Sequence, residues 1–87
     1  MTNADIDKIV EKMLSTKTNT MVKIKIKCWQ WHSKSRIKNG NEPFTFENYN
    51  HSLGKQTYLD YIEMGFIDCD DLGGKDKAVE AVNHWFG

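Results

Sequence analysis

The clearest hydrophobic pattern of the chain is an alternation that begins at Met21 and leads into a basic and aromatic run ending at Lys38. Every second position holds an apolar side chain: Val22, Ile24, Ile26 and Cys28. The positions between and after them hold Lys23, Lys25, Lys27, Trp29 and Trp31. Alternating positions lie on opposite faces of a β-strand. The pattern therefore predicts a strand with an apolar core face and an outer face of lysines and tryptophans.

The pair Asn39-Gly40 follows this stretch and is typical of a tight β-hairpin turn. We predict a return strand that includes Phe44, Thr45 and Phe46, with Pro43 at its start or at a sheet edge. The segment from Ser33 to Ser35 is poor strand sequence, so the first arm is expected to carry a bulge or a break. One long bent hairpin and two shorter pairings both remain open.

Three other segments have the spacing of amphipathic helices. They are Thr2 to Leu14, about Lys55 to Met64, and Lys75 to Phe86. In the last of them Ala78, Val79, Val82, Trp85 and Phe86 are predicted to face inward. Between the second and third helices, Phe66-Ile67 is either a short third strand or a segment that only anchors the chain to the core. Polar connectors are expected at Ser15 to Thr20, Asn48 to Gly54 and Asp68 to Gly74.

These elements together predict a single α+β domain over residues 1–87. An N-terminal helix, an antiparallel hairpin sheet of two or three strands, and two C-terminal helices follow one another. The hydrophobic fraction of 39% and the charged fraction of 28% fit a soluble globular domain. There is no apolar run of about 18 residues and no signal-peptide pattern, so we expect a cytoplasmic protein without membrane contact. Cys28 and Cys69 allow one disulfide at most and are expected to be reduced.

A formal net charge of zero hides a segregation of charge along the chain. Six cations and no acid lie between Met21 and Lys38, whereas nine acids and three lysines follow from Glu42 onward. Charge segregation bears on the choice of partner rather than on the fold. Whether the basic stretch is available for binding depends on whether acidic residues pack over it.

No pattern of residues indicates a catalytic or metal site. The loop from Asp68 to Gly73 has acids at the first and third positions of a calcium loop and glycine at the sixth. Leu72 and Val79, however, occupy the fifth and twelfth positions, where oxygen ligands are required. The histidines and cysteines lack the spacing of zinc ligands, and no nucleophile, base and orienting group come together. We therefore expect no cofactor, no metal and no enzymatic activity.

The outer face of the predicted strand is the strongest candidate for a contact surface. Its residues are Lys23, Lys25, Lys27, Trp29, Trp31, Lys34, Arg36 and Lys38. The first hypothesis is a small non-catalytic protein, with an inhibitor or an adaptor as fitting roles, that binds another protein through these residues. The second is a nucleic-acid-binding module whose lysines neutralise phosphates while its tryptophans stack on bases. A purely structural role, in which the lysines protect a sheet edge and the tryptophans pack inside, and a homodimer through an exposed strand edge are also open.

Overall fold

A long central helix organises the structure. The structure is a computed structural model that describes residues 1–16, 19–50 and 53–87. The α-helices are α1 (Asn3–Thr16), α2 (Thr20–Lys38), α3 (Phe46–Asn50), α4 (Lys55–Glu63) and α5 (Lys75–Phe86). A 3-10 turn, Asp70–Leu72, precedes α5. The described residues contain no strand and are 74% helical, so the predicted α+β class with a β-hairpin is wrong.

The predicted strand at Met21 to Lys38 is α2, and its alternating pattern has a helical explanation. Successive residues turn about 100° around a helix axis, so residues two apart lie on nearly opposite sides and residues four apart nearly coincide. Val22 and Ile26 therefore share one side of α2, while Ile24 and Cys28 share the other. Because α2 packs against each of the other four helices, both sides are covered. A helix that is buried on two sides reproduces the period-two pattern of a strand over this short distance.

The Asn39-Gly40 pair ends α2 instead of turning a hairpin. Gly40 has a φ of 80°, its N–H donates to Ile37 O at 3.0 Å, and the Asn41 N–H donates to Arg36 O at 2.8 Å. These two bonds form a Schellman motif, which satisfies carbonyls left free at a helix end and favours glycine at the left-handed position. Both helix ends and tight hairpins select glycine for positive φ, so the dipeptide alone does not distinguish them.

The predicted return strand is also wrong, because Phe46 begins the short helix α3. Thr45 precedes this helix and caps it, since the Asn48 N–H donates to Thr45 Oγ1 at 3.3 Å. The alternative of a third strand at Phe66-Ile67 is not found either. Ile67 is buried at 6% exposure and anchors the chain to the core.

The three helices predicted from one-sided apolar stripes are confirmed, as α1, α4 and α5. Thr2 caps α1: the Asp5 N–H donates to Thr2 Oγ1, and the Thr2 N–H donates back to Asp5 Oδ2 at 2.9 Å. The backbone of Thr2 thereby holds the pKa of Asp5 below its usual value. Trp85 and Phe86, predicted to face inward, are instead exposed.

Two of the predicted connectors differ from the structure. Ser15 and Thr16 belong to α1, and the rest of that connector includes residues 17 and 18, which lie outside the described residues. Asn48–Asn50 belongs to α3, and residues 51 and 52 of the second connector also lie outside the described residues. Among the helices that the structure describes, none combines the length and apolar character needed to cross a membrane.

One hydrophobic core joins all five helices. Each helix contributes at least one side chain, as do Ile67 and Cys69 in the segment before α5. The fully buried members with the largest side chains include Ile6, Ile24, Ile26, Tyr58 and Ile62. The long central helix thus provides core positions on two sides, and its remaining side is half-buried.

Candidate functional site

A half-buried side of α2 carries a row of long polar side chains. Counting about 100° per residue places Lys23, Lys27, Gln30, Lys34 and Lys38 in one stripe along the helix. We call these residues the lysine stripe. Four of the predicted contact residues therefore do lie together, although on a helix rather than on a strand.

Carboxylates from two distant segments neutralise the middle of the lysine stripe. The Lys27 ammonium lies 3.1 Å from Asp71 Oδ1, and the Lys34 ammonium lies 2.6 Å from Asp7 Oδ1. Gln30 Nε2 donates to the same Asp7 oxygen at 2.9 Å. Hydrogen bonds from Lys34 and Gln30 hold the pKa of Asp7 below its usual value. Within the described ranges, Lys23 and Lys38 at the ends of the stripe make no ion pair.

The two tryptophans of the predicted surface have different environments. Trp29 is 3% exposed, donates from Nε1 to Phe44 O at 2.8 Å and packs edge-on against Phe46. Trp31 is half-buried, and its ring stacks on Phe66 with a centroid distance of 4.4 Å and an interplanar angle of 8°. Trp29 is therefore a core residue, and only Trp31 has a face near the surface.

An open groove of about 180 Å³ lies where Trp31 meets the lysine stripe. Its lining residues are Lys27, Gln30, Trp31, Lys34, Phe66, Ile67 and Asp68. We call this site the Trp31 groove. Phe66, with 37% of its surface exposed, offers an apolar contact, and Lys27 and Lys34, two turns apart on α2, line the same groove. This combination of an exposed aromatic ring with flanking charges is typical of protein interfaces.

The remaining two predicted cations are used inside the molecule. The Lys25 ammonium lies 4.3 Å from the ring centroid of Trp85, and partial burial lowers the pKa of Lys25. The Arg36 guanidinium lies 4.2 Å from the ring centroid of Phe44, and Arg36 Nε donates to Glu42 O at 2.7 Å. These contacts attach α5 and the segment after α2 to the central helix. They leave Lys25 and Arg36 away from the Trp31 groove.

An aromatic cluster around His32 holds the segment after α2 in place. The imidazole lies between the rings of Phe44 and Tyr49, with centroid distances of 5.6 Å and 5.0 Å. Its Nδ1 is buried, and no group in the described part of the chain hydrogen-bonds to it. Burial, with a further contribution from the Arg36 charge, lowers the pKa of His32 below 6.5.

The lowered pKa of His32 predicts a loss of stability in mild acid. The unfolded chain binds a proton near the ordinary pKa of 6.5, whereas the folded chain does so only at lower pH. The contribution of neutral His32 is therefore complete above 6.5 and is lost as pH falls through the folded-state pKa. We expect His32→Gln to flatten the dependence of the unfolding free energy on pH in this window, as measured by urea denaturation. The exposed His84 provides the control, and an equal flattening by His84→Gln would contradict the assignment.

The cysteines and one tyrosine of the core have raised pKa values because they are buried. Cys28 and Cys69 are free and buried, and burial raises the pKa of both thiols. For Cys69 burial is the largest cause, and the neighbouring carboxylates of Asp68 and Asp71 act in the same direction. Burial also raises the pKa of Tyr58 to about 12. In the part of the chain that the structure describes, no three metal-ligating side chains are grouped.

Three residues near the Trp31 groove were not predicted from the sequence. Gln30 would have been found by helical spacing, since it falls between Lys27 and Lys34 on the same side of α2. The sequence predicts Phe66 only as part of a short third strand or an anchoring segment, whereas α4 ends at Glu63 and leaves Phe66 exposed. Asp7 carries no local signal, because only tertiary packing brings α1 to this part of α2.

Comparisons with protein-family models, with curated proteins and with solved structures give no match for the chain.

Proposed function

We propose that this protein is a small non-catalytic helical module that binds another protein through the Trp31 groove. The observation that carries the proposal is the exposed ring of Phe66, which is stacked on Trp31 and flanked by Lys27 and Lys34. Aromatic side chains supported by a rigid neighbour and surrounded by polar groups are the usual anchors of protein interfaces. An inhibitor or an adaptor would use such a surface without any chemistry of its own.

The structure gives less support to the nucleic-acid alternative. Tracking a phosphate backbone requires a row of available cations, but Lys27 and Lys34 each have a carboxylate partner. Base stacking requires accessible aromatic faces, but Trp29 is buried and one face of Trp31 is covered by Phe66. A mixed surface of one aromatic anchor and compensated charges fits a protein partner better than a polyanion.

A site-specific cross-linking experiment tests the proposal. A photoreactive phenylalanine at position 66 should give a discrete protein adduct in the native cells, and the same group at the exposed Glu80 should not. The adduct should persist after nuclease treatment. The purified partner should then bind the wild-type chain and should bind Phe66→Ala about tenfold or more weakly, because an interface anchor is worth at least about 1.4 kcal/mol.

Exposed Met64 provides the matched substitution, since it is apolar and lies outside the lining of the groove. Met64→Ala should retain the affinity of the wild-type chain, and circular dichroism should show that both variants keep their helices. Adducts that nuclease removes, or equal affinities of Phe66→Ala and wild type for the partner, would overturn the proposal.

A further inference from the structure

The segment between α2 and α3 lies against one side of the central helix and has no helix or strand of its own. We call residues 41–45 of this segment the strap. Four of its five residues are exposed. Beside it lies an open groove of about 270 Å³, which Met1, Ile9 and Trp29 line together with the strap. A segment with so few buried contacts opens at a lower cost in free energy than the whole domain unfolds.

Three side chains of α2 hold the strap in place. Trp29 Nε1 donates to Phe44 O at 2.8 Å, and Arg36 Nε donates to Glu42 O at 2.7 Å. Between these two bonds, the His32 imidazole stacks on the Phe44 ring at a centroid distance of 5.6 Å and an interplanar angle of 13°. The three side chains are three and four residues apart, so they form one row along the helix. His32 is the middle member of this row.

His32 is also the member of the row that titrates near neutral pH. Its imidazole lies between the rings of Phe44 and Tyr49, and its buried Nδ1 has no hydrogen-bond partner in the described part of the chain. Because both nitrogens of an imidazolium are donors, protonation leaves a charged N–H buried without an acceptor. Aromatic rings attract a cation, but an unpaired buried charge costs more than this attraction provides. Movement of the strap lets water reach Nδ1 and removes the cost.

The charged groups around His32 do not compensate for its protonation. Arg36 lies one turn further along α2, and two cations four residues apart on a helix repel each other. Cys28 lies one turn earlier, and burial raises the pKa of its thiol, which stays neutral. The strap contributes Glu42 and α3 contributes Glu47, but both are exposed, and neither is among the ion pairs of the described residues.

The Tyr49 hydroxyl of α3 supplies no negative charge to the cluster either. Burial raises the pKa of Tyr49, so the hydroxyl keeps its proton throughout the range in which His32 titrates. The elements that contact the imidazole therefore favour its neutral form, and each of them favours it only while the strap is closed over α2.

We infer that the strap is gated by pH: protonation of His32 releases residues 41–45 from α2 and exposes Trp29 to water. Burial and the Arg36 charge lower the pKa of His32 in the closed form, so the strap is fully held above the ordinary value of 6.5. As pH falls from 6.5 to the closed-state pKa, the ratio of open to closed chains should rise about tenfold per pH unit. This device does not rest on the proposed function, because the strap and the Trp31 groove share no lining residue.

Hydrogen exchange at the Trp29 indole tests the gate, because its N–H donates to Phe44 O only while the strap is closed. NMR of the ¹⁵N-labelled chain should follow the three indole groups between about pH 7.5 and 4.5. Each exchange rate is divided by that of N-acetyltryptophanamide at the same pH. The normalised rate of Trp29 should rise about tenfold per pH unit below 6.5 and level off once the imidazole of His32 is protonated. The exposed Trp85 should show no such rise.

Backbone amides of the core distinguish opening of the strap from unfolding. The amides of Ile24 and Ile26 in α2 should stay protected while the Trp29 indole loses its protection. Simultaneous loss of protection at all three positions would overturn the gate in favour of global acid unfolding. A normalised Trp29 rate that stays constant while His32 titrates would overturn it as well.

Two pairs of variants identify the groups involved. Phe44→Ala shortens a side chain that is 46% exposed, and it should raise the pKa of His32 toward 6.5, as measured from the imidazole proton shifts. Met64→Ala, at another exposed apolar position, should leave that pKa unchanged. His32→Gln should abolish the pH dependence of Trp29 exchange, whereas His84→Gln should retain it. An unchanged pKa of His32 in Phe44→Ala, or a persistent pH dependence in His32→Gln, would overturn the inference.

Discussion

Replacing Trp29 with alanine should lower the free energy of unfolding by about 3–5 kcal/mol, the usual cost of removing a large aromatic ring from a core. The ring is 3% exposed, and its Nε1 hydrogen bond to Phe44 O holds the segment after α2 against the core. The variant loses both the packing and the bond. For a domain of this size the melting temperature should fall by at least about 12 °C. Guanidinium denaturation followed by circular dichroism measures the change.

Trp31→Ala is the informative comparison for this prediction. Trp31 is half-buried and contacts Phe66 and Tyr61, so its removal should cost about 1–3 kcal/mol. Trp85 is 50% exposed, and its replacement should cost less than about 1 kcal/mol. A Trp29→Ala variant as stable as Trp85→Ala would contradict the core position of Trp29. The expected order also has a practical consequence: Trp29 variants report on folding and should not be used to test partner binding.

The terminal helices could be predicted because each has one apolar side. In α1 the residues Ile6, Val10 and Met13 follow helical spacing, and polar residues fill the other side. A helix on the outside of a small domain needs only one such stripe, and this stripe is visible in the sequence as apolar residues at helical spacing. Capping adds a second local signal, as Thr2 and Asp5 show.

The central helix could not be predicted in the same way, because its pattern depends on its neighbours. Two apolar stripes on opposite sides of α2 interleave along the sequence as Val22, Ile24, Ile26 and Cys28. β-branched residues at three of these positions add a preference for strands, which tertiary packing overrides. The length of the stretch was the overlooked signal, since strands usually extend over only 3–10 residues.

The candidate site could be predicted only in part, because the grouping of its residues depends on how the helices pack. The basic character of the stretch from Met21 to Lys38 is a property of the sequence, and it placed Lys27, Trp31 and Lys34 among the candidates. Their grouping follows from helical geometry, and the pairing of Lys34 with Asp7 follows from how α1 packs on α2. Such long-range pairing cannot be predicted from the spacing of residues along the chain. The exposure of Phe66 likewise depends on where α4 ends.

Proline substitutions at two positions of α2 should have very different effects, and the contrast tests the helix directly. Lys25→Pro should lower the free energy of unfolding by about 3 kcal/mol or more, because it removes a hydrogen bond from the helix interior and places the proline ring against the preceding turn. Thr20→Pro should change stability by less than about 1 kcal/mol. Thr20 is the first residue of α2, where the N–H has no partner within the helix and proline is favoured.

The residue before position 20 already has the conformation that a following proline requires. Asn19 has φ −74° and ψ 125°, and its side chain caps the helix by accepting the Val22 N–H at 3.1 Å. Lys25→Ala separates the backbone effect from the lost contact between Lys25 and Trp85. Chemical denaturation gives the energies, and far-UV circular dichroism should show a loss of helix for Lys25→Pro alone. If Lys25→Pro proved as stable as Lys25→Ala, residue 25 would not lie inside a helix, and an edge strand, which tolerates proline, would again be the better account of the alternating sequence.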